Sequence, residues 1–309
     1  MSNNTNTLFW VITGAVIVLG IFTLVLNINS DTVTNITRKM SSLFSNQIVE
    51  SEKEMLNNSS NLQKYYGYQE NWENIKIEDT ELFEFDETTG TILDYNGTSS
   101  TIIIPYQING VVVKKIGPLG MNLYNKSNDF NCIEECSEPV KLQNVILPNT
   151  IEELADNSFY YSESLKNINL PNSIKKIGKN AFFNSGLTSL DLSNLDQLTY
   201  IGENAFNNSN ITGDIVFCDS LTYLGQYSFG GNNIINVSLP KNLDVLQART
   251  FFANPNLATL TFRGSETNVS SLYMFHSNAK PTVYVPIGSK DWYKRFQSLS
   301  SFNIVEVDI

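Results

Sequence analysis

The chain has 309 residues, of which 41% are hydrophobic and 17% charged, and it carries a net charge of −11 at pH 7. This is the composition of an acidic, foldable chain, and it excludes a disordered or collagen-like protein. Lys and Arg number 20 against 31 Asp and Glu, so the chain lacks the basic surface that neutralises phosphates, and we expect no nucleic-acid partner. The single histidine, His276, excludes multi-histidine metal sites and argues against Ser-His-Asp and Cys-His arrangements.

An uncharged apolar run covers residues 8–26, a stretch of 19 positions. As a helix it would be about 28 Å long, close to the ~30 Å hydrocarbon core of a bilayer, so we expect a transmembrane anchor in contact with lipid. A cleaved signal peptide is the alternative, but no basic side chain precedes the run and no small-x-small cleavage site follows it. Arg38 and Lys39 follow the run and, by the positive-inside rule, favour a cytoplasmic position for the rest of the chain.

An amphipathic helix is predicted over residues 33–48, because its apolar residues recur at a spacing of three to four. These residues are Val33, Ile36, Met40, Leu43, Phe44 and Ile48. The helix could assemble the chain into a homo-oligomer, or it could be a solvated stalk with one apolar stripe. Residues 57–78 are polar and are predicted to form a linker.

Three cysteines are too few for a dense disulfide framework, and a zinc site would need more ligands. Cys132 and Cys136 are four residues apart in a polar insertion and could form a local disulfide, whereas Cys218 stands alone. The alternative is that all three are structurally incidental. We expect no metal and no cofactor.

A repeat follows from Val145 onward. One strand position recurs at Leu147, Leu170, Leu192, Phe217, Leu239 and Phe262, in steps of 23, 22, 25, 22 and 23 residues. A period this regular predicts a solenoid, in which each unit stacks on the next.

Each unit has the same apolar features. A short strand of apolar-x-apolar form comes first, and its two apolar side chains should point inward, as for Ile168 with Leu170 and Leu190 with Leu192. A second apolar anchor follows at Leu154, Ile177, Ile201, Leu224 and Leu246, and then a phenylalanine at Phe159, Phe182, Phe206, Phe229 and Phe251. The residue before each phenylalanine is small, as close stacking requires. We therefore expect a phenylalanine ladder in the core and not a ligand cage.

The unit L-P-x-x-I-x-x-I-G-x-x-A-F, nearly complete at Leu170–Phe182, resembles the BspA-like (Treponema-type) leucine-rich repeat family. Thr89–Gly117 is similar to the opening segment of that family, and Val283–Phe296 to its closing strand and short helix. The resemblance covers about residues 80–309. The sequence departs from the family in lacking the cysteine often found after the A-F pair, and in an insertion at Met121–Val140.

The resemblance implies a curved, right-handed solenoid of short parallel strands with a 22–25-residue period, a hairpin cap before the repeats and a strand-helix cap after them. With the anchor, the predicted organisation is a tail (1–7), a transmembrane helix (8–26), an amphipathic helix and linker (27–79), an N-terminal cap with an irregular first repeat (80–144), regular repeats (145–281) and a C-terminal cap (282–309).

Catalytic signatures are missing from the sequence. No G-x-S-x-G, Walker loop, dinucleotide glycine fingerprint or H-E-x-x-H occurs. Glu152 and Glu153 are adjacent carboxylates, but neighbouring residues of a strand point to different faces, so we expect both to be solvated surface. A non-enzymatic protein is predicted.

The alternate residues of the repeat strands should face the concave side of the solenoid. They are Asn144, Ile146, Asn167, Asn169, Ser189, Asp191, Asp214, Val216, Asn236, Ser238, Thr259, Thr261, Thr282 and Tyr284. Stacked about 4.8 Å apart, eight strands would present a continuous surface about 35 Å long. We expect this row to bind a protein or glycan partner. The alternative is that it is merely the solvent side of a one-sided sheet.

The resemblance also implies placement, since BspA-like proteins are mostly surface proteins that contact other cells. We therefore predict a single-pass membrane protein with extracellular repeats acting in adhesion or recognition, against the hint from Arg38 and Lys39. A structural alternative is a surface filament or spacer, in which the helix at 33–48 oligomerises and the repeats are simply displayed.

Overall fold

The computed structural model describes residues 79–119, 141–270 and 279–309. The predictions outside these residues are the tail at 1–7, the span at 8–26, the amphipathic helix at 33–48, the linker at 57–78, and the insertion at Met121–Val140 with the Cys132–Cys136 pair. Within the described ranges, no helix has the length and apolar character needed to cross a membrane.

Short strands dominate the described residues. They are β1 (Phe83–Asp86), β2 (Thr91–Tyr95), β3 (Thr101–Ile103), β4 (Gln107–Ile108), β5 (Val111–Val112), β6 (Lys115–Ile116), β7 (Asn144–Ile146), β8 (Glu153–Leu154), β9 (Asn167–Ile168), β10 (Lys176–Ile177), β11 (Tyr200–Ile201), β12 (Thr212–Val216), β13 (Tyr223–Leu224), β14 (Asn233–Leu239), β15 (Val245–Leu246), β16 (Thr259–Phe262), β17 (Asn268–Val269), β18 (Thr282–Pro286) and β19 (Ile304–Val307). A 3-10 helix spans Thr80–Leu82, and the helix α1 spans Lys290–Lys294.

The strands stack into two rows. One is a nine-stranded sheet, here called the long sheet, in the order β1-β2-β6-β8-β10-β11-β13-β15-β17. The other consists of the three-stranded N-terminal front sheet, β3-β7-β9, and the five-stranded C-terminal front sheet, β12-β14-β16-β18-β19. Apart from the β1–β2 pair, all pairings in these sheets are parallel, as in a solenoid whose successive coils stack in register.

Both ends of the stack carry the element types that were predicted. The β1–β2 hairpin begins the long sheet, and β2 pairs in parallel with β6 of the first coil. At the other end α1 follows β18 and precedes β19 along the chain. Its residue Tyr293 packs on Phe262, with ring centroids 4.5 Å apart. Burial raises the pKa of Tyr293, whose hydroxyl donates to the Gly264 carbonyl oxygen. This side chain therefore closes the end of the core while keeping its polar atom bonded.

The phenylalanine ladder is confirmed as core. Phe159, Phe182, Phe206, Phe229 and Phe251 are each at most 1% exposed. Successive rings stack with centroids 5.3, 5.0, 5.0 and 5.9 Å apart. Because Phe182, Phe206 and Phe229 each stack on the ring before and the ring after, the ladder couples neighbouring repeats. Cys218 is also buried, which suits the interpretation of this cysteine as structurally incidental.

Asparagine has a backbone role beside the ladder. Asn157, Asn180 and Asn204 lie two residues before their phenylalanines, and all have left-handed φ values of 61°, 53° and 54°. Asparagine tolerates this conformation better than most residues. Close stacking also requires a glycine here, since a Cβ on Gly202 would lie 2.7 Å from the carbonyl carbon of Gly178.

Buried polar side chains replace the family's cysteine. Asn232 and Asn254 each lie three residues after a phenylalanine and are fully buried. The Asn232 amide donates to the carbonyl oxygens of Phe206, Phe229 and Gly230 at 2.8, 3.1 and 3.0 Å, while its oxygen accepts from the Ser209 and Ile211 N–H groups. These bonds satisfy turn carbonyls that stacking removes from water.

The prediction of one continuous front sheet is wrong at a single coil. Residues 189–191 form no strand, and an isolated bridge between Leu192 and Phe217 marks the break between the front sheets. This coil is longer than its neighbours: nine positions separate Leu192 from Ile201 (201 − 192), against seven from Leu170 to Ile177 (177 − 170). The extra residues form turns directly after Leu192, and the strand that should precede them is not made.

Candidate functional site

The predicted concave residues point outward along the front sheets, and we call this row the front face. Every member is exposed or half-buried, while the residues alternating with them in β7, β12, β14, β16 and β18 are buried. Asn144 and Ile146 lie on β7, Asn167 on β9, Asp214 and Val216 on β12, Asn236 and Ser238 on β14, Thr259 and Thr261 on β16, and Thr282 and Tyr284 on β18. Asn169, Ser189 and Asp191 lie at the break. The inward-outward register is therefore confirmed for these strands.

Two hydrogen-bonded ladders run across the front face. In the first, Asn167 donates to Asn144 at 2.7 Å, and Asn144 donates to Thr101 at 2.9 Å. In the second, Asn236 donates to Asp214 at 2.7 Å, and Thr259 donates to Asn236 at 2.7 Å. Ser189 occupies the position between the two ladders and joins neither of them within the described residues. Many of the polar side chains on the front face are thus hydrogen-bonded to one another.

Asn169 has a structural role that its sequence position did not show. Its side-chain oxygen accepts from the Leu147 N–H at 2.7 Å, and its amide donates to the Leu147 carbonyl oxygen at 2.9 Å. The side chain therefore pairs with the edge of the preceding coil as a strand backbone would. Ligand binding by Asn169 stays a prediction, and the structure adds this backbone-pairing role to it.

A cleft of about 500 Å³ opens on the front face at the break. This volume lies within the ~300–1,000 Å³ range of ligand pockets. The cleft is lined by Ile168, Asn169, Leu170, Asn172, Ser189, Leu190, Asp191, Asn194 and Leu195. Three of the predicted site residues, Asn169, Ser189 and Asp191, are brought together here, whereas the members on β14, β16 and β18 are not.

The floor of the cleft consists of side chains that were predicted to be core. Ile168, Leu170 and Leu190 are only half-buried. The equivalent residues of the next coils, Ile215 and Phe217, are each 1% exposed. These side chains pack against the core, as predicted, but they remain partly accessible at the place where no strand pairs the two coils.

Asp191 supplies the single charge among the residues that line the cleft. Its carboxylate accepts from the Ser193 hydroxyl at 2.7 Å and from the Ser193 N–H at 2.9 Å. These bonds, the side-chain one first, lower the pKa of Asp191 below its ordinary value. The carboxylate is therefore ionised at neutral pH, and the cleft is apolar at its floor and anionic at its rim.

The long sheet carries a second outward row, which sequence reasoning missed. Glu153 lies between Lys115 and Lys176, with N–O distances of 3.2 and 3.0 Å. Further along, Tyr200 and Tyr223 stack with centroids 4.7 Å apart and planes 3° apart. The signal was available in the repeat alignment, because each of these residues from Glu153 onward immediately precedes a second anchor.

This second row is structural. The face of Tyr200 is covered by Tyr223 on one side and is approached by the Lys176 ammonium, 5.9 Å from its centroid. A sugar ring that stacks on tyrosine would need an open ring face. Glu152 is also paired, with Lys175 at 2.7 Å, and both carboxylates lie at the solvated surface as expected, with 42% and 27% of their side chains exposed. Among the described residues, no cluster of three or more His, Cys, Asp or Glu side chains could hold a metal ion.

Stacked coils, a phenylalanine ladder and parallel strands define a leucine-rich-repeat solenoid. The family model described as the BspA type leucine rich repeat region matches in six copies, over residues 133–258 and 195–293. The chain belongs to this family. No curated protein matches it.

Several solved structures are similar to this chain at low identity. The leucine-rich-repeat protein of T. pallidum is 17% identical, with 76% of this chain and 100% of that chain covered and a TM-score of 0.49. A leucine rich cell surface protein from Faecalibacterium prausnitzii is 14% identical, with 72% and 92% covered and a TM-score of 0.28. A leucine-rich repeat protein from Bacteroides ovatus is 14% identical, with 73% and 74% covered and a TM-score of 0.25.

Proposed function

We propose that the protein is a non-enzymatic adhesion or recognition module that is anchored in a membrane through residues 8–26 and displays its repeats outside the cell. In this proposal the front face binds a protein or glycan partner. Family membership supports the placement, because BspA-like proteins are mostly surface proteins.

The cleft is the observation that carries the binding role. A sheet face that only shields a core keeps the strand side chains covered, as the C-terminal front sheet does at Ile215, Val237 and Leu260. At the break, the aliphatic side chains of Ile168, Leu170 and Leu190 are instead partly accessible, and they lie beside polar groups and one carboxylate. An apolar floor with a few convergent polar groups is the usual composition of a binding site.

Binding is tested with the full chain in detergent micelles on two arrays, one of glycans and one of identified cell-surface ectodomains. We expect specific binding that the pair Ser189→Arg and Ser238→Arg removes, because both side chains belong to the front face. Thr199→Arg with Gln226→Arg is the matched control, since both residues are exposed and lie next to strands of the long sheet. The circular dichroism spectrum should be the same for both pairs.

If the control pair loses binding and the front-face pair retains it, the site lies on the long sheet and the proposal is overturned. If nothing on either array binds, while the full chain assembles into large oligomers, the protein is instead a structural spacer, with the predicted helix at 33–48 as its assembling element.

A further inference from the structure

We propose that the cleft binds an extended peptide segment of a partner protein, which pairs its main chain with Ser189–Asp191 and places apolar side chains on Leu170 and Leu190. This inference rests on the proposed function and names its partner class. It deepens that function by treating the break in the front sheet as an open position for a strand.

The main chain at the break is the first support. Within the described part of the chain, the N–H and C=O groups of Ser189, Leu190 and Asp191 make no hydrogen bond to another backbone group. The corresponding residues of the next coil, Asp214–Val216, pair in register with Asn236–Ser238. Unpaired backbone groups beside a sheet edge are what extended peptides recognise when they add a strand.

The neighbouring edge is open as well. β9 is two residues long and, among the described residues, pairs with β7 alone. Beyond Ile168 the edge of β7 is completed by the Asn169 side chain, so the backbone of this coil leaves the sheet. The space between β9 and Ser189–Asp191 is therefore bordered on both sides by main chain that has no strand partner across the cleft.

The floor selects for alternating apolar side chains. Along an extended peptide, every second side chain points to the same side. Residues at i and i+2 would then contact the half-buried Leu170 and Leu190 and remove them from water. A peptide fits this site better than a glycan, because no aromatic side chain is among the residues that line the cleft.

The charge at the rim selects for a basic residue in the segment. Asp191 is exposed and holds its carboxylate toward Ser193 by two hydrogen bonds. No Lys or Arg is among the residues that line the cleft. A Lys or Arg of the peptide beside Asp191 would thus meet no competing cation in the lining.

The test begins with a phage-displayed library of random linear nonapeptides, selected on the full chain in detergent micelles. A counter-selection step uses Leu190→Trp, in which the indole fills the cleft. Phage that bind this variant recognise another surface and are discarded. We expect the enriched sequences to alternate apolar and other residues and to contain Lys or Arg. The best peptide is then synthesised and its Kd measured by fluorescence anisotropy.

N-methylation tests the pairing of the main chain. In an extended peptide, alternate backbone N–H groups face the same edge. Methylating the nitrogens that face the cleft edge should weaken binding by about tenfold or more, because two backbone hydrogen bonds are lost. The opposite register keeps those N–H groups and serves as the control, with an unchanged Kd. Equal effects in the two registers would overturn the strand-addition geometry.

Three further variants keep the result independent of one substitution. Val112→Trp adds the same side chain to an exposed position on β5, outside the front face, and should bind as the wild type does. Asp191→Asn should weaken a basic peptide by about two- to fivefold at low salt, whereas Asp244→Asn, at an exposed position outside the front face, should not. No enrichment over Leu190→Trp, or an enriched peptide that Leu190→Trp and Val112→Trp bind equally, overturns the inference. If glycans bind on the array and no peptide does, the inference fails while the proposed function stands.

Discussion

The side-chain amide of Asn169 is hydrogen-bonded to both backbone groups of Leu147, which it contacts at 2.7 Å through its oxygen and at 2.9 Å through its nitrogen. One polar side chain thus takes the place of a strand backbone at the point where the front sheet ends. The contact has a consequence for stability and another for the site, because it holds the N-terminal border of the cleft in place.

Asn169→Ala is therefore expected to destabilise the fold by about 1–3 kcal/mol, since it leaves two backbone groups of Leu147 without their partner. The free energy of unfolding from urea titration measures the effect. Ser189→Ala is the control and should change it by less than about 0.5 kcal/mol, because the Ser189 side chain joins no ladder within the described residues. Equal stability of the two variants would mean that the Asn169 contacts contribute nothing.

Phe206→Ala should cost roughly 3–5 kcal/mol, the usual range for truncating a buried aromatic side chain. The Phe206 ring is fully buried between those of Phe182 and Phe229. The midpoint of denaturant unfolding is the readout. Val216→Ala, at a position that is 45% exposed, is the control and should be nearly silent. A loss below about 1 kcal/mol for Phe206→Ala would contradict the coupling of coils through the ladder.

Acid should weaken the Lys115–Glu153–Lys176 row. Burial disfavours the ionised form of Glu153, but the hydrogen bonds from Lys176 and Lys115 outweigh it and lower the pKa of this carboxyl below its ordinary value of 4.5. A carboxyl whose pKa is lower in the folded protein adds stability above the unfolded pKa and loses it as the pH falls through the folded pKa.

Glu153→Gln should consequently reduce stability at neutral pH by less than about 1 kcal/mol, since the row is partly exposed. The clearer effect is on pH dependence: as the pH falls below about 4.5, the variant should lose less stability than the wild type does. Thermal unfolding measured across this pH range is the assay, with Glu84→Gln, an exposed residue of β1, as the control. Parallel pH profiles for the wild type and Glu153→Gln would exclude a role for the row in acid sensitivity.

The predicted anchor should decide where the protein fractionates. We expect the full chain to sediment with membranes and a chain without residues 1–29 to remain in the supernatant, because residues 8–26 are the uncharged run able to span a bilayer. Protease added to intact cells should remove the repeats. Repeats that are protected until lysis would instead support the cytoplasmic orientation favoured by Arg38 and Lys39, and the surface proposal would then be wrong.

The sequence by itself determined the solenoid. Its period and the phenylalanine ladder at Phe159 to Phe251 follow from local pattern, because each repeat buries its apolar residues against a near copy of itself. The closing strand and helix were implied by the family resemblance. Burial at Phe206 could therefore be predicted from spacing alone. The same periodicity placed Asn144, Asp214 and Asn236 on one outward row.

Tertiary structure alone decided the break and the cleft. Leu190 carries the same apolar signal as Val237, yet one is half-buried and the other is 1% exposed. The difference depends on whether neighbouring coils pair, and the longer 25-residue step from Leu192 to Phe217 belongs to the coil in which the front strand is missing. Pairing is a property of two stacked coils together, and so the positions of Asn169, Ser189 and Asp191 around a shared cleft could not be predicted from any single repeat.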